Sequence, residues 1–166
     1  MKTHIYGVAL AGLFALVAGS ASAAVTVNYV APDKFTDVPF VPWDREATLK
    51  DLAQHFTWLG KSLPPGQDLR IDVLDVDLAG RMVPNARMGR DLRILSGRAD
   101  WPRIELRYAL EQDGQVIKSG EARLSDMTYL DHTSRYFDSE PLRYEKQMID
   151  EWFEKTIGPL PRGGRR

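Results

Sequence analysis

Trp101-Pro-Arg-Ile-Glu-Leu-Arg-Tyr-Ala-Leu-Glu-Gln-Asp-Gly-Gln-Val-Ile-Lys-Ser-Gly-Glu-Ala-Arg-Leu-Ser125 is the stretch on which the architecture turns. Ile104, Leu106, Tyr108 and Leu110 share one phase of a two-residue period, while Arg103, Glu105 and Arg107 take the other. Residues 101–110 are therefore expected to form a strand with one buried and one wet face. Gln112-Asp113-Gly114 suits a three-residue hairpin loop with Gly114 at positive φ. That register sets Leu110 opposite Val116, Leu106 opposite Gly120 and Ile104 opposite Ala122, so the apolar faces coincide. A two-residue Asp-Gly turn would put Leu106 against Glu121, because a slip of one residue inverts a strand. Gly120 leaves room that Tyr108 can fill.

Upstream, Leu69, Ile71 and Val73 lie in one phase and Leu74, Val76 and Leu78 in the other. The switch implies a bulge or a strand covered on both faces. Residues 79–100 read as a long loop with a short strand near 91–95, carrying Arg81, Arg87, Arg90, Arg93 and Arg98. Val25, Val27 and Tyr29 alternate with Thr26 and Asn28 in a further short strand. After a proline-rich loop, Asp44 is expected to cap a helix whose inner face is Leu49, Leu52, Ala53, Phe56, Leu59 and Leu63, stopped by Pro64-Pro65-Gly66. Downstream of the hairpin, Pro141 suits a first helical position, and Leu142, Met148, Ile149, Trp152, Phe153 and Ile157 form the inner face of a second helix ended by Gly158-Pro159. Each helix has one apolar stripe and a charged back. The economical fold is α+β, a two-layer sandwich: a mostly antiparallel sheet of 4–5 strands with two helices on one face.

The chain has 166 residues, 27% charged and 43% hydrophobic, with net charge −1 and no Cys. It suffices for one domain, lacks the basic field that nucleic acid requires, and has no disulfide, thiolate metal site or Cys nucleophile. Residues 1–23 read as a secretory signal peptide: Lys2, an apolar run from Ile5 to Ala18, and Ala21-Ser22-Ala23 before the cut. Residues 24–157 then form a single domain, followed by a mobile basic tail over 158–166. No later apolar run is long enough to span a bilayer. The expected location is periplasmic or secreted.

Few patterns carry chemistry. Asp75-Val-Asp77-Leu-Ala-Gly80 opens like a calcium loop but fails at Ala79 and Ala86. Gly60-Lys61-Ser62 lacks the upstream Gly of a phosphate loop. After export only His55 and His132 remain, so a three-His zinc site is excluded. Asp131-His132 with Ser125 or Ser134 lacks a nucleophile elbow. Arg143, in the first turn of the second helix, stands against the helix dipole and either holds an anion or pairs with Asp138 or Glu140. Trp101 at a strand entrance is either a core plug or a stacking surface.

Several segments also resemble an exported proteobacterial family known only as domain of unknown function 3016. They are Val27-Asn-Tyr-Val-Ala-Pro-Asp-Lys-Phe35, Leu63-Pro-Pro-Gly66, Val73-Leu-Asp-Val-Asp-Leu-Ala-Gly80, Trp101-Pro-Arg-Ile104, Leu124-Ser-Asp-Met-Thr-Tyr129, and Pro141-Leu-Arg-Tyr-Glu-Lys146 through Trp152-Phe153. The resemblance implies export and one domain, and brings no reaction, cofactor or ligand. The residues support a non-catalytic envelope module that binds an unidentified protein or glycan, without cofactor or nucleic acid. Its anionic or aromatic target would meet Trp101, Arg103, Asp126, Tyr129, Arg143 and Tyr144. The alternative is a periplasmic hydrolase using a metal at Asp75, Asp77 and His132. A third expectation is a homo-oligomer joined through an exposed sheet edge.

Overall fold

The computed structural model describes residues 23–84 and 92–162. The expected signal peptide, apart from its last residue, lies outside the described residues, as do part of the arginine-rich stretch and the last four residues of the expected tail. Along the chain run β1 (Ala24–Tyr29), α1 (Pro42–Leu59), β2 (Gln67–Asp77), β3 (Arg81–Val83), β4 (Leu92–Ile94), β5 (Arg103–Gln112), β6 (Gln115–Ser125) and α2 (Arg143–Thr156). The main sheet has the order β1-β2-β5-β6, and β3 pairs with β4 in a separate ribbon. β1 is parallel to β2, with α1 as the crossover between them, and the other neighbours are antiparallel.

The β5–β6 connection corrects the expected register. Asp113 and Gly114 have φ of 51° and 79°, the two left-handed positions of a two-residue primed turn, and Gln112 pairs with Gln115. One residue, Ile117, is then extra: Glu111 faces Val116, but Leu110 faces Lys118. This bulge restores the face that a two-residue turn alone would invert. Ile104 therefore lies opposite Leu124, Leu106 opposite Ala122 and Tyr108 opposite Gly120, two residues away from the three-residue-loop register. A Cβ on Gly120 would sit 3.1–3.3 Å from the Tyr108 side chain, so this glycine does make room for the ring. A second bulge at Leu74 lets Leu69, Ile71 and Val73 face the core together with Val76.

α1 starts two residues before Asp44, with Pro42 at its first position and Val41 as an N-cap without a side-chain bond. Asp44 contributes charge to the first turn instead of a cap. Leu49, Leu52, Phe56 and Leu59 are buried, as the spacing requires. A Cβ on Gly60 would stand 2.1 Å from Val25 Cγ2, so the end of α1 rests directly on β1.

α2 begins at Arg143, after Leu142 in the left-handed conformation (φ 54°), instead of at Pro141. Met148, Ile149 and Phe153 enter the core. Both helices cover the same face: His55 of α1 meets Asp150 of α2, and Trp152 packs edge-on against Phe56 of α1 and Tyr108 of β5. The single-stripe expectation fails for α2. Glu145, Lys146, Gln147 and Asp150 on its other sides are buried too: residues 126–142 fold back to meet Lys146, Gln147 and Asp150, and Glu145 meets Ala79 after β2. Of the expected mobile tail, Leu160 packs against the core.

Candidate functional site

The first two turns of α2 and the loop that wraps them gather most of the buried polar chemistry. The loop is shaped by local side-chain bonds. Asp126 Oδ1 accepts from the backbone N–H and the hydroxyl of Thr128, and Ser134 Oγ accepts from the Tyr136 N–H. Glu140 N–H closes a turn onto the Phe137 carbonyl.

Hydrogen-bond direction can be followed from there. The Arg135 N–H donates to Gln147 Oε1 at 3.1 Å, so Nε2 of this amide is the donor to His132 Nδ1 at 2.8 Å. His132 must carry its proton on Nε2, which donates to Asp126 Oδ2 at 2.9 Å. Both ring nitrogens are thus engaged, and the carboxylate that orients the ring is Asp126, not the adjacent Asp131.

Deeper in, Asp150 accepts from His55 Nε2 at 2.8 Å and from the Tyr136 hydroxyl at 2.7 Å. Burial first, and then the Asp150 charge, push the Tyr136 phenol far above its ordinary range, so it remains a donor. His55 is stacked on Trp58 with ring centroids 5.4 Å apart. Lys146 Nζ lies 2.7 Å from Glu140 and 3.1 Å from Asp51. His55, Trp58, Tyr136, Lys146, Glu140 and Asp51 line a cavity of about 100 Å³ between α1, α2 and the loop.

On the other flank a cavity of about 240 Å³ opens beside the start of α2, lined by Ala79, Arg93, Leu95, Arg143, Tyr144 and Glu145, among others. Glu145 is 2% exposed and accepts the Ala79 N–H at 2.7 Å. Burial raises its pKa, and the Ala79 N–H, its own N–H and the Arg93 and Lys146 charges offset the shift only in part. Arg93 is held by Asp37 through both oxygens. Arg143 stands 4.6 Å above the Tyr144 ring and donates to the Tyr144 hydroxyl at 2.6 Å. That bond and then the Asp138 contact outweigh partial burial and favour its charged form. Tyr129 meets Tyr144 edge-on at 4.8 Å, and its hydroxyl donates to Asp100. Burial works against the Asp100 charge, but hydrogen bonds from Ser96, Arg98 and Tyr129 outweigh it and bring Asp100 down to about 2.

The six sequence-derived binding residues therefore divide. Tyr129, Arg143 and Tyr144 form one contact group. Arg103 lies 5.3 Å from the Trp101 ring but is spent on Asp77, to which its Nε donates at 2.8 Å. Asp126 belongs to the His132 chain. The candidate metal residues are also committed elsewhere: Asp75 accepts from the Thr36 N–H and hydroxyl, Asp77 from Arg103, and His132 is engaged at both nitrogens. Among the described residues, no three His, Cys, Asp or Glu side chains are grouped as a metal ion would require.

Sequence reasoning weighed His55 only as a zinc ligand and passed over Asp150, Tyr136 and Glu145. One signal was available: His55 falls within the apolar stripe of α1 between Leu52 and Leu59, and Asp150 adjoins Ile149 on α2. A polar residue facing a core needs a partner, and here each is the other's.

No curated protein and no solved structure matches the chain. A family described as protein of unknown function (DUF3016) matches residues 23–155, covering the sheet and nearly all of α2. The chain belongs to that family.

Proposed function

We propose that the chain is an exported, non-catalytic binding protein of the bacterial cell envelope, and that it takes an anionic group of a protein or glycan at Arg143, Tyr144 and Tyr129. The observation that carries this reading is the asymmetry of the Arg143 ion pair. The Arg143 side chain is 21% exposed and stacked on Tyr144, whereas its partner Asp138 is fully exposed. An exposed carboxylate gains little from such a pair, and a ligand carboxylate or phosphate can replace it. The cavity beside Arg143 offers room for the rest of such a group. Export is supported by the Lys2, Ile5–Ala18 and Ala21-Ser22-Ala23 pattern, with the family match starting at residue 23.

The test is affinity capture from envelope fractions with the chain lacking residues 1–23, beside Arg143→Ala and Asp138→Ala. Wild-type protein is expected to retain a component that Arg143→Ala loses and Asp138→Ala holds more strongly. An empty capture, or one indifferent to Arg143→Ala, rejects the binding reading. Intact mass of the protein exported by a bacterial host tests the signal, with Ala24 expected as the first residue.

A further inference from the structure

β6 is an edge strand of 11 residues whose outer side meets no other strand among the described residues. It contains no proline, and its side chains from Ser119 to Arg123 are exposed or half-buried. Such an edge displays unpaired N–H and C=O groups that another strand can satisfy. The charges along it select which strand.

On the open face of the sheet β6 and β5 set opposite charges beside each other in two rows, although further in Asp75 lies beside Glu105. Asp72 lies beside Arg107 and Arg107 beside Glu121, while Glu105 lies beside Arg123. The pairs Arg107–Glu121 and Arg123–Glu105 are in contact at 3.2 and 3.3 Å. Placing a second β6 antiparallel to the first, with a two-fold axis normal to the sheet, requires the axis to pass through a residue so that both sheets keep the same face. An axis through Glu121 or Arg123 sets like charges against each other. An axis through Gly120 sets Arg123 beside Ile117 and leaves both charges without a partner. An axis through Ala122 sets Glu121 beside Arg123 of the second copy and Ser119 beside Ser125, so that each charge of the edge gains a partner of opposite sign. Ala122 then faces its own symmetry mate on the helix-covered side. The other edge, β1, has no charged residue to define a register.

We infer that the partner of this edge is a second copy of the chain, paired through Ser119–Ser125 about Ala122 to give one continuous eight-stranded sheet with all four helices on one side. The inference does not use the Arg143 reading, and the test of one leaves the other standing.

The chain has no cysteine, so single Cys substitutions report the register directly. Neighbouring antiparallel strands bring facing Cα atoms to about 4.5–5.5 Å, within disulfide reach. Ala122→Cys is expected to give a covalent dimer on mild oxidation. Ser119→Cys is not, because its symmetry mate would lie six residues along the strand, roughly 20 Å away. Light scattering should show a wild-type dimer, and Arg123→Glu should weaken it by about tenfold through two reversed cross-strand pairs. Circular dichroism checks that each variant is folded. A wild-type monomer at the highest soluble concentration overturns the inference. So does a dimer in which Ala122→Cys stays unlinked, or one in which Ser119→Cys links as readily.

Discussion

α1 and α2 lie side by side on one sheet, yet they are held there by different physics. α1 conforms to the ordinary rule: Leu49, Leu52, Phe56 and Leu59 go inward, and most of its charged residues remain in water. α2 also points Ile149 and Phe153 inward, but its polar side is roofed by residues 126–142. Lys146, Gln147 and Asp150 find partners there, and Glu145 finds its own in Ala79 after β2. A buried apolar side chain is satisfied by contact of any kind, whereas a buried carboxylate or amide needs a donor or acceptor at a particular place. Apart from His55, which answers Asp150, position on α1 is therefore a matter of packing volume, and on α2 a matter of hydrogen-bond geometry. Polar residues on a helix are a poor guide to which side is wet when a loop returns over them.

The contrast can be broken by mutation, beginning where the effect is largest. Leu52→Ala on α1 should lower unfolding free energy by about 3–4 kcal/mol, from lost burial and the cavity left behind. Urea unfolding measures it, and Leu52→Met should cost far less, since only volume matters there.

Asp150→Ala on α2 is expected to cost about 2–3 kcal/mol, because it strands the His55 Nε2–H and the Tyr136 hydroxyl without an acceptor. Conservative volume should not rescue it: Asp150→Leu remains destabilised in the same urea assay. A fully recovered Asp150→Leu would make α2 a packing helix like α1.

Lys146→Met should cost about 1 kcal/mol, since Asp51 and Glu140 are 32% and 28% exposed and can turn to water when Nζ is removed. Glu121→Ala, on the open face of the sheet, should lie below about 0.5 kcal/mol in the monomer, as surface pairs usually do.

The subtlest distinction is one of slope. Glu145 has a raised pKa in the fold, so between its unfolded and folded values the native state holds more proton than the unfolded chain. Stability contributed by the protonated acid is complete below the unfolded value, near 4.3, and declines as pH rises toward the folded value. Glu145→Gln should flatten that decline, read from urea midpoints over pH ~4 to ~8. Asp100, held at about 2, has the opposite sign: its contribution is present above the unfolded value and falls away as pH drops through the folded one.

Legibility from sequence follows the same division. The 104–110 alternation, the phase change in β2, the α1 stripe and the match of Gly120 with Tyr108 were all readable, because each depends on period and size along a local stretch. The hairpin register was missed by two residues. The turn and the Ile117 bulge are separate one-residue effects whose sum preserves the face, and face was the only criterion available from periodicity. β3 was missed because Arg81–Val83 is three residues long and gains its meaning only from β4. Within the candidate site, Tyr129, Arg143 and Tyr144 were legible as aromatic and cationic residues near a helix start. The His55–Asp150–Tyr136 group joins α1, α2 and the loop across separations of up to 95 residues, and no local pattern records such pairing.

By itself, the sequence determined where apolar surface had to be hidden, and hence two layers, one sheet and two helices on a common face. Tertiary structure alone decided which polar groups were hidden with it, how the hairpin strands were offset, and which carboxylate orients each histidine. The physical reason is that hydrophobic burial adds up along short periodic stretches, whereas a hydrogen bond or ion pair exists only once two remote segments have been brought within about 3 Å of each other.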